Sequence, residues 1–527
     1  MNTTSRDSRY KVFDKYALFS NFTALIAGLN AGYNSGVPNI SQDVILECPP
    51  ATTGAYFPDC LPMEPLVWGF AVGVFAIGGL IGSIGAGYIT STIGRRNTLL
   101  WNNVVFVAGG LALAMSTTTV LFVIGRLLVG IGSGVAGVAI PTYIAETSTN
   151  RMRGTMGILF ESSQMLGILL AQAFCLFFNG VPGWRWLMGA TIAPAAIQAV
   201  LLCFCKETPR YLIMTGRLDE AKDVLEKLRF GYDTENEFQE MLDAQRGDSS
   251  TPTSSTQLCS SNPSTCVLDS DKEYEEKTII PCEGLKGKSL TEVTEEERQE
   301  VTVVTALRPL NILDVLRDRS LKKFSIISII LFAFQPLSGI IGIIYYSQSI
   351  FKDVFGAEKA SYVTIGIAII NLVMTSVSAV IIARTGRKLL LLISASGMAV
   401  MAVTMVLASL YNIEMLVVVS CKIPNSIRWI YRVFPNIQAS FFSALLYVAA
   451  FAIGMGPVTV TIIPEIMPTV AVSAVVGAAT SIGWIGTFSV GLIIPTMKQY
   501  MGSYTFLVFA VINIIATIFI KMFVPNA

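Results

Sequence analysis

Residues 119–146 read TVLFVIGRLLVGIGSGVAGVAIPTYIAE, and this stretch decides what kind of fold the chain can adopt. It is too long for a β-strand, and only Arg126 and Glu146 carry charge along it. A helix of about 20 mainly apolar residues crosses the core of a bilayer. Small residues recur so that one face of such a helix is bare: Gly130, Gly132, Gly134 and Gly137. The stretch therefore predicts a membrane-spanning helix that another helix approaches closely.

The rest of the chain has the same apolar character. Its 527 residues are 53% hydrophobic and 14% charged, with a mean hydropathy of +0.61. A soluble chain carries about 25% charged residues, and here 17 of the 36 acidic residues fall within 231–300. The remainder has too little charge to cover a globule with polar groups, so it must face lipid. The bilayer is therefore the first predicted partner.

The composition also excludes several kinds of chemistry. The chain has no histidine, which removes Ser-His-Asp triads, HExxH zinc sites and Cys2His2 fingers together. No nucleophile–base set or phosphate-binding loop is visible, and the Cys203-x-Cys205 pair has no partner at metal-site spacing. A net charge of +1 gives no signature for binding nucleic acid. We therefore predict no enzyme activity, no metal and no cofactor.

Twelve apolar runs are long enough to span a bilayer, which predicts an all-α membrane protein. They are 17–37, 67–90, 98–117, 119–141, 155–178, 186–205, 322–346, 362–383, 389–410, 439–462, 469–495 and 503–522. Basic residues in short loops set the orientation. Placing both termini in the cytosol puts eleven such residues inside and four outside, so we predict that orientation.

The predicted organisation follows from these runs. Its parts are a cytosolic N-terminus 1–16, a first six-helix bundle 17–205, a cytosolic link 206–321, a second six-helix bundle 322–522 and a cytosolic C-terminus 523–527.

The two halves of the chain echo each other. Arg95 and Glu146 of the first half correspond to Arg387 and Glu465 of the second. A repeat of six spans is a transporter architecture, with a solute site near the midplane between the halves. The first pair is 51 positions apart and the second 78, so 27 extra residues lie around 411–438. They are either a long external loop or a retained non-coding segment of the gene.

The link between the halves changes character along its length. Leu218, Val224 and Leu228 recur at helical spacing, which predicts a helix at its start. From Ser249 to Glu300 the chain is rich in Ser, Thr and Pro and then in acidic residues, which predicts disorder. This part is either a solvated tether or a segment regulated by phosphorylation.

The first external loop carries two features of an extracellular segment. Cys48 and Cys60 predict a disulfide that closes the loop. The sequon Asn39-Ile-Ser predicts a glycosylation site at Asn39, although that residue lies close to the membrane.

Seven motifs occur in the order and spacing of a known family. They are Gly94-Arg95-Arg96-Asn97, Gly125-Arg126, Pro141-x-Tyr143-x-x-Glu146, Arg153-Gly154, Glu207-Thr208-Pro209-Arg210-Tyr211-Leu212, Gln335-x-x-Ser338-Gly339 with Tyr345-Tyr346, and Gly456-Pro457 with Glu465. On these residues the chain resembles the sugar porter branch of the major facilitator superfamily, and facilitative hexose transporters above all. The resemblance covers nearly all twelve spans. It implies a sugar as the solute and the plasma membrane as the location.

The charged motifs fall at the cytosolic ends of predicted spans, where water is near. These residues are Arg95, Arg96, Glu146, Arg153, Glu207, Arg210, Arg387 and Glu465. Opposite charges on different helices can lock one face shut and release it as the halves rock, a gating role that the resemblance also implies. The same charges would equally hold helix ends in the cytosol. Tyr345 and Tyr346 resemble the external gate of the family.

By position, the resemblance implies a solute site of Glu161, Gln335, Ile341, Asn371 and Trp484. Glu161 stands where hexose transporters of the family carry Gln. Gln335 and Asn371 can donate to and accept from sugar hydroxyls, and Trp484 can lie along the apolar side of a ring. Three contacts of the family pattern are apolar here, at Pro336, Ile341 and Val460. A standard glucose site is therefore not carried over whole.

Two positions bear on proton coupling. Glu161 could carry a proton, contact the solute or passively line a water-filled cavity. Asn34 stands where proton-coupled sugar porters usually carry Asp, so Arg126 lacks a titrating partner. We predict facilitated diffusion of a hexose or similar polyol, with proton-coupled symport through Glu161 as the alternative. A non-transporting solute sensor is a third interpretation, which the acidic, Ser-rich link favours.

Overall fold

The computed structural model describes residues 15–46, 58–178, 183–229, 234–246, 265–267, 279–281, 312–382, 385–411, 439–467 and 469–525. Eleven helical stretches in this part are long and apolar enough to cross a membrane. The prediction of an all-α membrane fold is confirmed. The inserted segment is outside the described residues over 412–438.

Seven helices lie in the described residues of the first half. They are α1 Lys15–Leu46, α2 Pro65–Ile93, α3 Arg95–Ala114, α4 Thr119–Thr147, α5 Asn150–Phe178, α6 Gly183–Gly189 and α7 Ile192–Phe204. Helix α1 packs against α4, α5 and α7, while α2 and α3 both pack against α4. Helices α6 and α7 together form one apolar stretch, Gly183–Phe204.

Helix α1 is not among the eleven apolar stretches, although it has 32 residues. Its polar residues explain this: Asn21, Asn30, Asn34 and Asn39 are each no more than 1% exposed. Because neighbouring helices rather than lipid surround these side chains, α1 needs less hydrophobicity than a helix at the edge of the bundle.

In the described residues of the second half, a short helix, α11 Ile312–Arg317, comes first and nine more follow. They are α12 Arg319–Leu337, α13 Ile340–Phe355, α14 Ala357–Ile382, α15 Arg387–Tyr411, α16 Ala439–Ile453, α17 Pro457–Thr461, α18 Ile463–Ile466, α19 Thr469–Met501 and α20 Thr505–Phe523. The break between α12 and α13 falls at Gly339, whose φ of 99° suits glycine. A Cβ at Gly339 would also lie 2.8 Å from a ring carbon of Phe509.

Helices of the two halves meet along three lines. Helix α2 packs against α19, α1 against α13, and α5 against α14. Polar side chains of the two halves meet along these lines, as Trp484 of α19 does with Ser83 of α2 and Ser162 of α5 does with Ser376 of α14.

The link contains α8 Pro209–Met214 and α9 Leu218–Leu228, which pack on each other. The predicted helix at the start of the link is therefore present. Residues Asp233–Arg308 form a separate unit, with α10 Glu235–Arg246 and the strands β1 Thr265–Val267 and β2 Ile279–Pro281. The strands pair antiparallel, with Cys266 opposite Ile280. In these six residues the structure has local pairing where disorder was predicted.

Glycines bring α2 and α4 into backbone contact. A Cβ at Gly134 of α4 would lie 2.8 Å from the carbonyl carbon of Gly79, and one at Gly78 of α2 would lie 2.8 Å from the nitrogen of Ile131. Of the bare helix face expected from the sequence, Gly130 and Gly134 are therefore buried against α2, while Gly132 contacts Phe106 of α3. Gly137 is an exception, since a Cβ there would meet nothing within 4 Å.

Candidate functional site

We call the end of the bundle that carries α8 and α9 the α8 face, and the end that carries Cys60 the Cys60 face. At the α8 face, Arg95 Nη2 lies 2.9 Å from Glu146 Oε1, and both side chains are less than 10% exposed. The Thr208 hydroxyl donates to Glu146 Oε2 at 2.6 Å. The Arg95 guanidinium also lies over the Tyr211 ring, 5.5 Å from its centroid. Two helix ends of the first half and α8 are joined in this way.

Glu207 has a different role from the one its charge suggested. Its Oε1 accepts from the backbone N–H groups of Arg95 at 2.9 Å and Arg96 at 3.0 Å, at the first turn of α3. A carboxylate is stabilised at a helix N-terminus because the unpaired N–H groups there carry positive partial charge. The Arg96 side chain donates instead to the Leu202 carbonyl at 2.9 Å.

The remaining predicted gating charges are Arg387, Arg210, Arg153 and Glu465. Arg387 Nη1 donates to the Ile382 carbonyl at 2.9 Å, within the second half. Arg210 is exposed. The side chains of Arg153 and Glu465 lie outside the described residues. In the described part, the ion pair of this cluster lies within the first half, and the locking of one half to the other stays a prediction.

Sequence reasoning missed two members of the α8-face cluster. Thr208 follows Glu207 in a quoted motif, but its hydroxyl contacts a carboxylate 62 positions earlier in the chain. Tyr211 donates to the Thr92 carbonyl at 2.8 Å, which ties α8 to the end of α2. Both residues stand in the motif Glu207–Leu212, which was the available signal.

At the Cys60 face, Asn39 joins the two halves. Its Nδ2 donates to the Ile344 carbonyl and to the Ser347 hydroxyl, both at 2.8 Å, and its Oδ1 accepts from the Gln348 N–H at 3.0 Å. One turn on, Asp43 pairs with Lys352 at 3.1 Å. We call these contacts the α1–α13 latch.

The latch bears on the predicted glycan at Asn39, which stays a prediction. The side-chain nitrogen that a glycan would occupy is fully buried and donates two hydrogen bonds inside the protein. In this conformation the Asn39 side chain is therefore engaged in contacts between the two halves. Cys60 is disulfide-bonded, and since Cys48 lies outside the described residues, its pairing with Cys48 stays a prediction.

Tyr345 and Tyr346 lie just inside the latch and are each 2% exposed. The Tyr346 hydroxyl donates to the Gly491 carbonyl of α19 at 2.7 Å. Their rings meet edge to face with centroids 6.3 Å apart. The hydrogen bond of Tyr346 ties α13 to α19.

Arg126 is a fully buried cation of α4. Its Nη1 donates to the Asn34 carbonyl at 2.7 Å, its Nη2 donates to the Val72 carbonyl at 3.3 Å, and its guanidinium lies 4.8 Å from the Phe75 ring centroid. The partners of the Arg126 guanidinium in the described residues, two carbonyls and one aromatic ring, are all uncharged. The Asn34 side chain donates to Thr191 Oγ1 at 2.6 Å and does not contact the guanidinium.

Three predicted solute-site residues already hold protein partners. Gln335 Nε2 donates to the Gly456 carbonyl at 3.2 Å, and Asn371 Nδ2 lies 3.0 Å from the Met165 sulfur of α5. Trp484 Nε1 donates to Ser83 Oγ at 3.0 Å. Asn371 and Trp484 thus each bridge the two halves, as residues at the centre of a two-bundle protein do.

Glu161 and Ile341 complete the predicted set. Both are partly buried, on α5 and at the start of α13. Across the described residues, Glu161 has neither a hydrogen-bond partner nor an ion-pair partner. A helical membrane protein whose two halves meet around polar groups, with charged helix ends at one face, is built as a transporter.

Comparisons with known proteins agree with this class. The family described as "Sugar (and other) transporter" matches residues 17–270 and 268–527. The facilitated glucose transporter member 3 of solute carrier family 2 from Canis lupus familiaris is 30% identical over 521 residues, covering 97% of this chain and 89% of the relative. The Homo sapiens counterpart is 30% identical over 522 residues, covering 96% of this chain and 89% of the relative.

A solved structure shows the same fold. The xylose transporter XylE from E. coli, in a partially occluded inward open conformation, matches with a TM-score of 0.69 at 22% identity, over 98% of this chain and 99% of that one. The chain belongs to the sugar porter family of the major facilitator superfamily. The resemblance predicted from the motifs is confirmed, and the protein is a membrane transporter rather than an enzyme.

Proposed function

We propose that the protein moves a hexose or similar polyol across the plasma membrane by facilitated diffusion. Helix α1 and the eleven apolar stretches then form twelve spans in two six-helix bundles, with both termini and the α8 face in the cytosol. The Cys60 face is extracellular in this arrangement, as its disulfide suggests. The two relatives described above are named as facilitated glucose transporters, which supports a hexose as the solute.

One observation favours uniport over symport. The buried Arg126 guanidinium donates to the carbonyls of Asn34 and Val72, and no carboxylate among the described residues forms an ion pair with it. A proton carrier is a group whose charge changes during the cycle, and neither carbonyls nor the Asn34 amide titrate. Symport through Glu161 remains the alternative function, because Glu161 is an unpaired carboxylate within a span.

Uptake assays test the proposal. We expect saturable uptake of labelled glucose, fructose, mannose or xylose in cells that lack their own hexose carriers, unchanged by a protonophore. Uptake that the protonophore abolishes would establish symport instead. Absence of uptake, with the protein at the cell surface, would contradict transport of these sugars and favour the sensor interpretation.

In the alternating-access cycle that we propose, the α1–α13 latch holds the Cys60 face closed, because its contacts join α1 of the first half to α13 of the second. Replacing Asn39 with Ala removes the three hydrogen bonds that its side chain forms with α13. A hydrogen bond contributes about 1 kcal/mol net, so we expect the population open at the Cys60 face to rise about five-fold or more. The measurement is labelling of a Gln348→Cys variant by an impermeant maleimide from outside, since position 348 is 2% exposed here.

Ser41→Ala is the matched control for the latch. The buried Ser41 hydroxyl donates to the Val37 carbonyl of the same helix, so its loss should leave labelling unchanged. Equal labelling in the Asn39→Ala and Ser41→Ala backgrounds would show that the latch does not hold the face closed.

A further inference from the structure

We propose that Glu161 selects a solute that carries a cationic amine, such as an amino sugar, over a neutral hexose. The inference rests on the proposed transport function, and it names the class of solute that the site recognises.

Glu161 lies on α5 between the side of the helix that packs on α1 and the side that packs on α14. The side formed by Phe160, Ser163 and Gln164 packs on α1, against Gly28 and Gly32. The opposite side packs on α14, where Ser162 Oγ lies 3.4 Å from Ser376 Oγ and Met165 contacts Asn371. With 3.6 residues per turn, Glu161 falls between these two sides.

Open space lies next to Glu161 on the same face of α5. One turn earlier, a Cβ at Gly157 would meet nothing within 4 Å. A carboxylate at this position can therefore reach a solute without first displacing a packed neighbour. No described Lys or Arg forms an ion pair with it, and the buried cation Arg126 is held by carbonyl groups elsewhere.

The predicted site has more hydrogen-bond acceptors available than donors. Trp484 uses its single N–H on Ser83, while Gln335 and Asn371 each use one N–H on Gly456 and Met165. The two amide oxygens and both oxygens of Glu161 have no partner among the described residues. Acceptors in excess suit a solute rich in donors, and an ammonium group has three N–H donors and no acceptor.

Charge makes the preference strong enough to measure. A hydrogen bond between ammonium and carboxylate is about twice as strong as one between neutral groups. Two positions that would otherwise contact hydroxyls, Pro336 and Ile341, have no polar side-chain atom. The site therefore offers fewer hydrogen bonds to the hydroxyl groups of a neutral hexose. As a result, the contact between Glu161 and an amine contributes more of the difference in affinity between an amino sugar and a neutral hexose.

The test is transport by the full chain in proteoliposomes, with glucosamine, glucose and N-acetylglucosamine compared below about pH 7, where such an amine is protonated. We expect kcat/KM for glucosamine to exceed that for glucose about ten-fold or more, and the neutral N-acetyl derivative to show no such advantage. Glu161→Gln, which keeps the shape and removes the charge, should abolish the preference. Glu161→Asp, which keeps the charge, should retain part of it.

The outcomes separate this inference from the function on which it rests. Glucose transported as well as or better than glucosamine, or a ratio unchanged by Glu161→Gln, would overturn the amine inference and leave transport standing. Failure to transport any of the three sugars, with folded protein recovered in the vesicles, would overturn the proposed function itself.

Discussion

Arg95→Met is expected to destabilise the folded transporter by about 3–5 kcal/mol, because it leaves the Glu146 carboxylate buried without its cation. The two groups lie 2.9 Å apart and their side chains are 9% and 8% exposed. Thr208 still donates to Glu146 in the variant, but one hydroxyl does not replace a guanidinium. The measurement is the free energy of unfolding in mixed micelles titrated with SDS.

A second substitution distinguishes a lost ion pair from general damage. Replacing both members, as Arg95→Met with Glu146→Leu, removes both buried charges, so stability should return to within about 1 kcal/mol of the wild type. Arg217 and Glu220 are the matched control, since their pair is 49% and 62% exposed at 3.4 Å. Arg217→Met should cost less than about 1 kcal/mol. Equal losses for Arg95→Met and Arg217→Met would show that burial gives the first pair no special importance.

The double variant also tests the predicted gating role. Protein that folds with both charges removed and still transports would assign Arg95 and Glu146 to stability alone. Protein that folds and no longer transports would show that the conformational cycle needs the charges.

The sequence predicted the positions of the spans because a membrane helix is a long apolar run, which local composition shows directly. It did not predict which groups meet at the site, because those contacts join distant parts of the chain. Glu207 was predicted as one of the charges that could lock helix ends together, and in the structure it accepts from the N–H groups of α3. Only the entry angle of α3 after Gly94, whose φ is 95°, places those groups within its reach.

Asn39 illustrates the same limit on the other face. A sequon is a local pattern, and the predicted span ended at residue 37. In the structure α1 continues to Leu46 and brings Asn39 against α13, more than 300 positions later in the chain. The sequon predicted an exposed Asn39 side chain that could carry a glycan. The structure instead places this side chain in a contact between the two halves, which local sequence alone does not predict.

Gly134→Ala is expected to cost about 1–3 kcal/mol or more of stability, the range found for overpacked cores. The new methyl group would collide with the carbonyl oxygen of Gly79 and lie 2.8 Å from its carbon. Backbone atoms cannot turn aside as a side chain can, so α2 and α4 would have to separate along their whole contact. The expected results are a lower free energy of unfolding in SDS titration and less folded protein recovered from membranes.

Gly137→Ala is the matched control, one turn further along α4, and its effect should have the opposite sign. A Cβ there meets nothing within 4 Å, so the variant only gains helix propensity, worth up to about 1 kcal/mol. If both alanines destabilise equally, the loss reflects a general intolerance of α4. If only Gly134→Ala destabilises, the close contact between α2 and α4 stabilises the first half. The first half can then move as one body against the second.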